Sequence, residues 1–221
     1  MTTKRTPLNR QRVLAAAVDL ADRDGIDSLS MRKLGNELGV EAMSLYNHVT
    51  NKDDLLDGIV DAVTSEFEDP RSVDGDGWRV VIRRCALTEH DVLLRHPWTA
   101  ALAESRPRTG PVRLRYYDSL LGVLRDAGFD EIGAYRANLT IDSYVYGFTL
   151  QEVAWVSWPP ESGGLESEAA AAFVDRTAEM EFPHLVGIAR LSAAGRIDIR
   201  ADFEFGLDIV LDSLERVRAA S

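Results

Sequence analysis

Residues 30–52 read Ser30-Met-Arg-Lys-Leu-Gly-Asn-Glu-Leu-Gly-Val-Glu-Ala-Met-Ser-Leu-Tyr-Asn-His-Val-Thr-Asn-Lys52. The stretch divides into two short helices joined by a tight turn at Gly39, and it ends on the capped start of a third. Ser30 is placed to cap a helix over Met31–Leu38, because its hydroxyl can accept from an otherwise orphaned amide of the first turn. Leu34 and Leu38 turn inward at a four-residue step. A helix from Ala42 to His48 follows, with Leu45 and Val49 inward and Met43, Ser44 and Asn47 outward. Asn51 caps the next helix, whose first turn carries Asp53 and Asp54, where the helix dipole favours negative charge. This is the layout of a helix-turn-helix, whose second helix enters the major groove of DNA.

The pattern extends outward in both directions. Asn9 caps a first helix reaching Asp24, with Val13, Ala17 and Leu20 on one face, Leu14 and Ala21 beside them, and Gly25 as the stop. After Asn51, the residues Leu55, Leu56, Ile59, Val60 and Val63 form one apolar face. That helix connects a small head, residues 1–56, to a larger body, residues 57–221. Turn residues mark a loop over 68–77. The body then predicts six helices: Trp78–His96, Pro97–Ala103, Pro111–Ala127, Glu131–Ser157, Ser167–Glu181 and Ala201–Ala219. Pro107, Gly110, Gly128, Pro159, Pro160 and the Gly163–Gly164 pair mark breaks, and Trp158–Ser167 is the most mobile loop. Strand-like alternation is missing, so the fold class is all-α with about ten helices.

Composition narrows the function. The chain has 221 residues, 45% hydrophobic and 28% charged, with one cysteine. A lone Cys85 excludes an internal disulfide and a cysteine metal site, and it reads as inert core. No apolar run approaches the roughly 18 residues of a membrane span. The N-terminal residues lack the apolar region of a signal peptide, which predicts a cytoplasmic protein. Net charge is −11, but it is uneven. Residues 1–52 hold eight Lys/Arg against six Asp/Glu, whereas the remainder holds 17 Arg, no Lys and 30 Asp/Glu. A basic head on an acidic body suits a nucleic-acid binder, although the acidic surface also serves plain solubility. Catalytic signatures are missing. Gly75-Asp-Gly77 lacks the third glycine of a dinucleotide loop, and there is no phosphate-binding loop or nucleophile elbow. Glu181-Phe-Pro-His184 is one half of a di-iron pattern, broken by Pro183. The expectation is no enzyme, no cofactor and no metal.

The candidate DNA-facing residues are Ser30, Arg32, Ala42, Met43, Ser44, Tyr46, Asn47, His48 and Lys52. Asn47 suits an adenine edge, Ala42 or Met43 a thymine methyl, and Ser44 a base or a phosphate. Arg32 reaches a guanine or a phosphate. Tyr46 and Lys52 suit phosphates, with Lys52 reinforced by its place in a helix's first turn. His48 reads as structural or as a backbone contact. Glu41 reads as a cap. In the last helix Phe203, Leu207, Val210, Leu214 and Val217 follow a heptad-like seam, with Phe205, Ile209 and Leu211 off it. More than one apolar face suits a helix packed on its own domain and on a second copy, the alternative being a fully buried helix in a monomer. The body is rich in aromatic residues, which suits an apolar or aromatic small molecule of unknown identity. Candidate contacts are His90, Trp98, Tyr117, Asn138, Tyr144, Gln151, Trp155 and His184, each with a purely structural reading beside it.

Several stretches together resemble the TetR family of bacterial transcriptional regulators. They are Val13-Leu-Ala-Ala-Ala17, Leu29-Ser-Met-Arg-Lys-Leu34, Leu38-Gly-Val40, Leu45-Tyr46, His48-Val49, Asn51-Lys52 and Leu55-Leu-Asp57. Leu93-Leu-Arg-His96, Gly128-Phe129, Gly147-Phe-Thr-Leu150 and Phe205-Gly-Leu207 extend the likeness, which is strongest toward the tetracycline-repressor branch. The resemblance implies a homodimer on a palindromic double-stranded operator. Its four-helix bundle would come from the helix near 131–157 and the last helix, using Tyr144, Val145, Phe148, Phe203, Leu207, Val210 and Leu214. It also implies a ligand cavity in each body and release from DNA when it fills. That branch carries Gln, Pro and Trp where Ala42, Met43 and Asn47 stand, so a different operator is implied. Cys85 and Leu120 replace its polar drug contacts, and the segment after His96 is unlike it, which argues against tetracycline. The expectation is a sequence-specific DNA-binding regulator, a repressor released by a small ligand. The alternative is a dimeric regulator with no such effector.

Overall fold

The computed structural model describes residues 7–73, 77–106, 110–156 and 182–219. Among these residues the chain is helical, without a strand. The head contains α1 (Arg10–Asp24), α2 (Met31–Leu38), α3 (Ala42–Leu45) and the start of α4 (Lys52–Thr64). There follow α5 (Trp78–Arg95), α6 (Trp98–Ser105), α7 (Pro111–Asp126) and α8 (Glu131–Val156), then α9 (Pro183–Ala193) and α10 (Ile199–Ala219). Single 3-10 turns stand at Ile26–Ser28 and Pro70–Ser72. The predicted helix over Ser167–Glu181 and the predicted loop over Trp158–Ser167 lie outside the described residues.

Helix starts follow the caps. The side-chain oxygen of Asn9 accepts from the Arg12 amide at 2.8 Å, Ser30 Oγ from Lys33 at 3.2 Å, and Asn51 Oδ1 from Asp54 at 2.8 Å. Each bond satisfies one first-turn amide that the helix itself leaves open. One helix went unpredicted. Pro183, read as a break, instead opens α9 in its first turn. There its fixed φ fits the helix and its missing N–H costs nothing.

The chain forms two compact units, residues 1–134 and 135–221, with the division inside α8. In the first unit Val13, Ala17, Leu34, Leu45, Leu55, Ile59 and Val63 form the core of the head. Ile82, Cys85, Leu93 and Leu124 form the core among α5–α7. Burial pushes the Cys85 thiol up to about 12, with nearby Glu68, Glu89 and Asp69 adding to it, so it stays protonated and unreactive.

Along α4, Asp53, Asp57 and Asp61 recur every four residues and so share one side of the helix. All three are held from α6–α7. The Arg106 guanidinium pairs with Asp57, and its Nη2 also donates to the Asp53 carbonyl (3.0 Å) and carboxylate (3.3 Å). The Asp61 carboxylate accepts from the Val112 and Arg113 amides, both at 3.3 Å, and so closes the N-terminus of α7. A second tie runs to α1. His96 Nδ1 and Trp98 Nε1 both donate to the Asp22 carboxylate, at 2.9 and 2.6 Å. His96 Nε2 lies 3.3 Å from Glu66.

In the second unit, Phe203, Leu207 and Leu211 are 0% exposed and form the inner row of α10. The Tyr144 ring stacks on Phe203 at 5.4 Å, and its hydroxyl donates to the Phe203 carbonyl at 2.8 Å. Gly206 leaves no room for a Cβ beside that ring, so α8 and α10 meet closely there. The heptad-like seam therefore divides. Phe203 and Leu207, with Val145 of α8, are enclosed within the protomer, while Val210 and Leu214 are half-buried. The outward apolar residues of α10 are Phe205 (69% exposed), Ile209 (50%) and Val217.

Candidate nucleic-acid interface

The geometry of the head starts at the turn. Gly39 takes the left-handed conformation (φ 65°), and its amide bonds the Asn36 carbonyl at 3.1 Å. The Val40 amide bonds the Gly35 carbonyl at 2.9 Å. A Cβ on Gly35 would lie 2.9 Å from the Val40 carbonyl oxygen and 3.1 Å from the Ala42 amide. Gly35 is thus where α2 admits the incoming backbone of α3. The sequence reading singled out Gly39 and passed over Gly35, because a close approach inside a helix leaves no local mark.

The reading helix is shorter than predicted. The α-helix covers Ala42–Leu45, and the predicted span to His48 continues as tighter turns. The amides of Tyr46, Asn47 and His48 bond three residues back, at 3.3, 3.4 and 2.9 Å. These are 3-10-type bonds, frequent where an α-helix ends. Leu45 and Val49 are buried, which leaves Met43, Tyr46 and Asn47 on the exposed side. Ala42, Ser44 and His48 are half-buried, and Arg32 and Lys52 are exposed. The Ser30 hydroxyl is occupied by its cap. Glu41 stands at the cap position of α3 but makes no side-chain capping bond, contrary to expectation.

Sequence reasoning missed the brace behind this surface. Arg10 donates through Nη1 to the His48 carbonyl (3.0 Å) and to Asp54 Oδ2 (3.0 Å), and through Nη2 to Asp54 Oδ1 (2.6 Å). The Thr50 amide donates to Asp54 as well, at 2.7 Å. The Arg10 hydrogen bond holds the Asp54 carboxyl down at about 2. The loop leaving the reading helix is therefore fixed at both carbonyl and amide. At the far end, Arg23 pairs with Glu37 at 2.9 Å and Lys33 with Asp24 at 3.7 Å, which joins α1 to α2.

The candidate ligand residues fall on both compact units. In the first, His90 is buried, and the Trp98 indole N–H is committed to Asp22. The Tyr117 hydroxyl accepts from Arg113 at 2.9 and 3.2 Å. In the second, Tyr144 is committed to Phe203, Asn138 is half-buried, and Gln151, Trp155 and His184 are exposed. No helix among the described residues is long and apolar enough to cross a membrane.

Two family models match this chain. A family model described as bacterial regulatory proteins, tetR family, matches residues 13–59. A second, tetracyclin repressor-like, C-terminal domain, matches residues 70–218. An HTH-type transcriptional regulator of Saccharopolyspora erythraea is 39% identical over 180 residues, covering 81% of this chain and 74% of its own. The crystal structure of a possible TetR family transcriptional regulator from Streptomyces coelicolor A3(2) superposes with a TM-score of 0.79 at 33% identity, over 95% of this chain and all of that one. The TetR family protein ActR of Streptomyces coelicolor, in complex with actinorhodin, gives a TM-score of 0.76 at 27% identity, over 96% and 99%.

Proposed function

The chain belongs to the TetR family of bacterial regulatory proteins, and on that premise we propose that it is a homodimeric repressor which leaves its operator when a small apolar or aromatic molecule binds. It is a DNA-binding transcriptional regulator of the helix-turn-helix type. The observation that carries the proposal is the outward face of α3 and the turns after it. Met43, Tyr46 and Asn47 are held exposed by a frame capped at Ser30 and Asn51 and braced by Arg10. Asn47 reads a base edge, Tyr46 and Lys52 hold phosphates, and Arg32 lies at the flank.

The head ends near residue 56, close to the end of the family match over residues 13–59 and before the one that opens at residue 70. The operator is palindromic, with half-sites about one helical turn apart, because a two-fold dimer presents two heads. The exposed apolar row Phe205, Ile209 and Val217 supports the second copy. The body holds the effector. The similar TetR family protein ActR, solved in complex with actinorhodin, supports a body that binds a small molecule. The protein works in the cytoplasm, without catalysis and without a metal or cofactor. Selection from random duplexes tests the proposal. It should yield an inverted repeat, and binding should weaken with a compound that raises the melting temperature in a concentration-dependent way. Recovery of no sequence would overturn it.

A further inference from the structure

We infer that Met43 makes this head a reader of the thymine 5-methyl group, an inference that rests on the DNA-binding reading above. Met43 is 72% exposed, and it is the one large aliphatic side chain of the described head residues that is exposed rather than buried or half-buried. A single exposed apolar residue is ordinary on a protein surface, so exposure alone decides nothing. Its place does. Met43 is the second residue of α3, and its neighbour two positions on, Leu45, is fully buried. The backbone carrying it is fixed by the Gly35 approach on one side and by the Arg10–His48 bond on the other. The thioether therefore projects from a rigid support.

The chemistry of the surrounding face then selects the base. Between Val40 and Asn51 there is no Lys or Arg, so these residues offer no fork for the guanine edge. In the major groove, thymine alone offers an apolar group, its C5 methyl. The edges of guanine, cytosine and adenine offer donors and acceptors there. Laid over such an edge, Met43 would strip water from polar atoms and return no hydrogen bond. Laid over a methyl, it buries apolar surface on both sides. Its unbranched, polarizable chain adapts to the small offset between protein and groove. Met43 thus favours a methylated pyrimidine and penalises the alternatives.

The experiment uses the full chain and its selected operator. Each thymine of a half-site is replaced in turn by deoxyuridine, which keeps the pairing and the hydrogen-bonding edge and removes only the methyl. One position should lose affinity by about fourfold, the worth of one buried carbon. In Met43→Ala that position should tolerate deoxyuridine, while every other position responds as in the parent protein. Met43→Leu should keep the discrimination. If no deoxyuridine weakens binding, or if the loss is the same in Met43→Ala, the inference is overturned while DNA binding stands. If no duplex is selected at all, the DNA-binding reading fails and this one with it.

Discussion

Arg10 and Asp54, at the start of α1 and in the first turn of α4, meet through two hydrogen bonds of 3.0 and 2.6 Å. The pair is partly exposed, so its direct charge attraction is worth little, about 0–1 kcal/mol. Its value lies in what it holds, since the same two side chains bind the His48 carbonyl and the Thr50 amide. Arg10→Gln should cost about 1 kcal/mol in urea unfolding, the scale of one or two hydrogen bonds. It should also weaken operator binding more than that stability loss explains. Equal affinity for parent and variant at fixed salt would show that the brace does not position the reading helix.

The same pair sets a pH window. The Asp54 carboxyl is lowered from 3.8 to about 2 in the folded chain. A depressed carboxyl contributes stability that is fully present above its unfolded value and fades as protons bind the folded state. The stability gap between the parent protein and Asp54→Asn should therefore be constant above about pH 4. It should shrink between pH 4 and 2. Unfolding midpoints measured across that range check this, and a gap that widened toward low pH would contradict it.

At the interface, two substitutions should separate grip from reading. Lys52→Ala should weaken all duplexes alike and flatten the salt dependence by roughly one charge. Asn47→Ala should relax preference at one operator position, at a cost of about 1–3 kcal/mol there. Anisotropy titrations at several salt concentrations, on the selected operator and on its point variants, distinguish the two.

Gly35 gives a sharper structural test. Gly35→Ala places a methyl 2.9 Å from a backbone carbonyl oxygen, which cannot swing aside as a side chain can. The expected loss is about 1–3 kcal/mol by overpacking, together with lost operator binding. An unchanged melting temperature would mean that α2 and α3 separate at little cost.

The two rows of α10 should respond differently. Phe203→Ala empties a fully buried site and should cost about 3–5 kcal/mol of protomer stability. Ile209→Glu changes an exposed residue, so it should leave protomer unfolding nearly unchanged and shift sedimentation toward the monomer. A dimer unaffected by Ile209→Glu would place the interface elsewhere.

What the sequence made legible was local. Asn9, Ser30 and Asn51 announce their helices because a cap and its amide are three residues apart. Gly25 and Gly39 announce turns because their backbone angles suit few other residues. The α3 segment was legible in its inner and outer faces but not in its pitch, since Leu45 and Val49 face inward whether the turns beyond are α or 3-10. Contacts between distant residues were not legible. Asp54 read as a dipole partner, and nothing near it pointed back to Arg10. Asp61 carried no mark in the sequence, though it closes a helix some fifty residues on. Pro183 carried the opposite meaning from the one first read, because proline stops a helix from inside and starts one from the edge. Phe203 and Phe205 are the same residue type two positions apart, and only packing assigns one to the core and the other to solvent.

The acidic row of α4 has a practical consequence for anyone exchanging operator specificities among such regulators. Cutting at residue 56 would transplant Asp53 while leaving Asp57, Asp61 and the groups that hold the row, Arg106 and the Val112 and Arg113 amides, behind. The first rung of the ladder would then arrive from a foreign parent. Hybrids joined after Thr64 carry the whole row together, and Arg106 must still find carboxylates at the first two rungs and the N-terminus of α7 one at the third. Heads of this kind are interchangeable only as far as that spacing is shared.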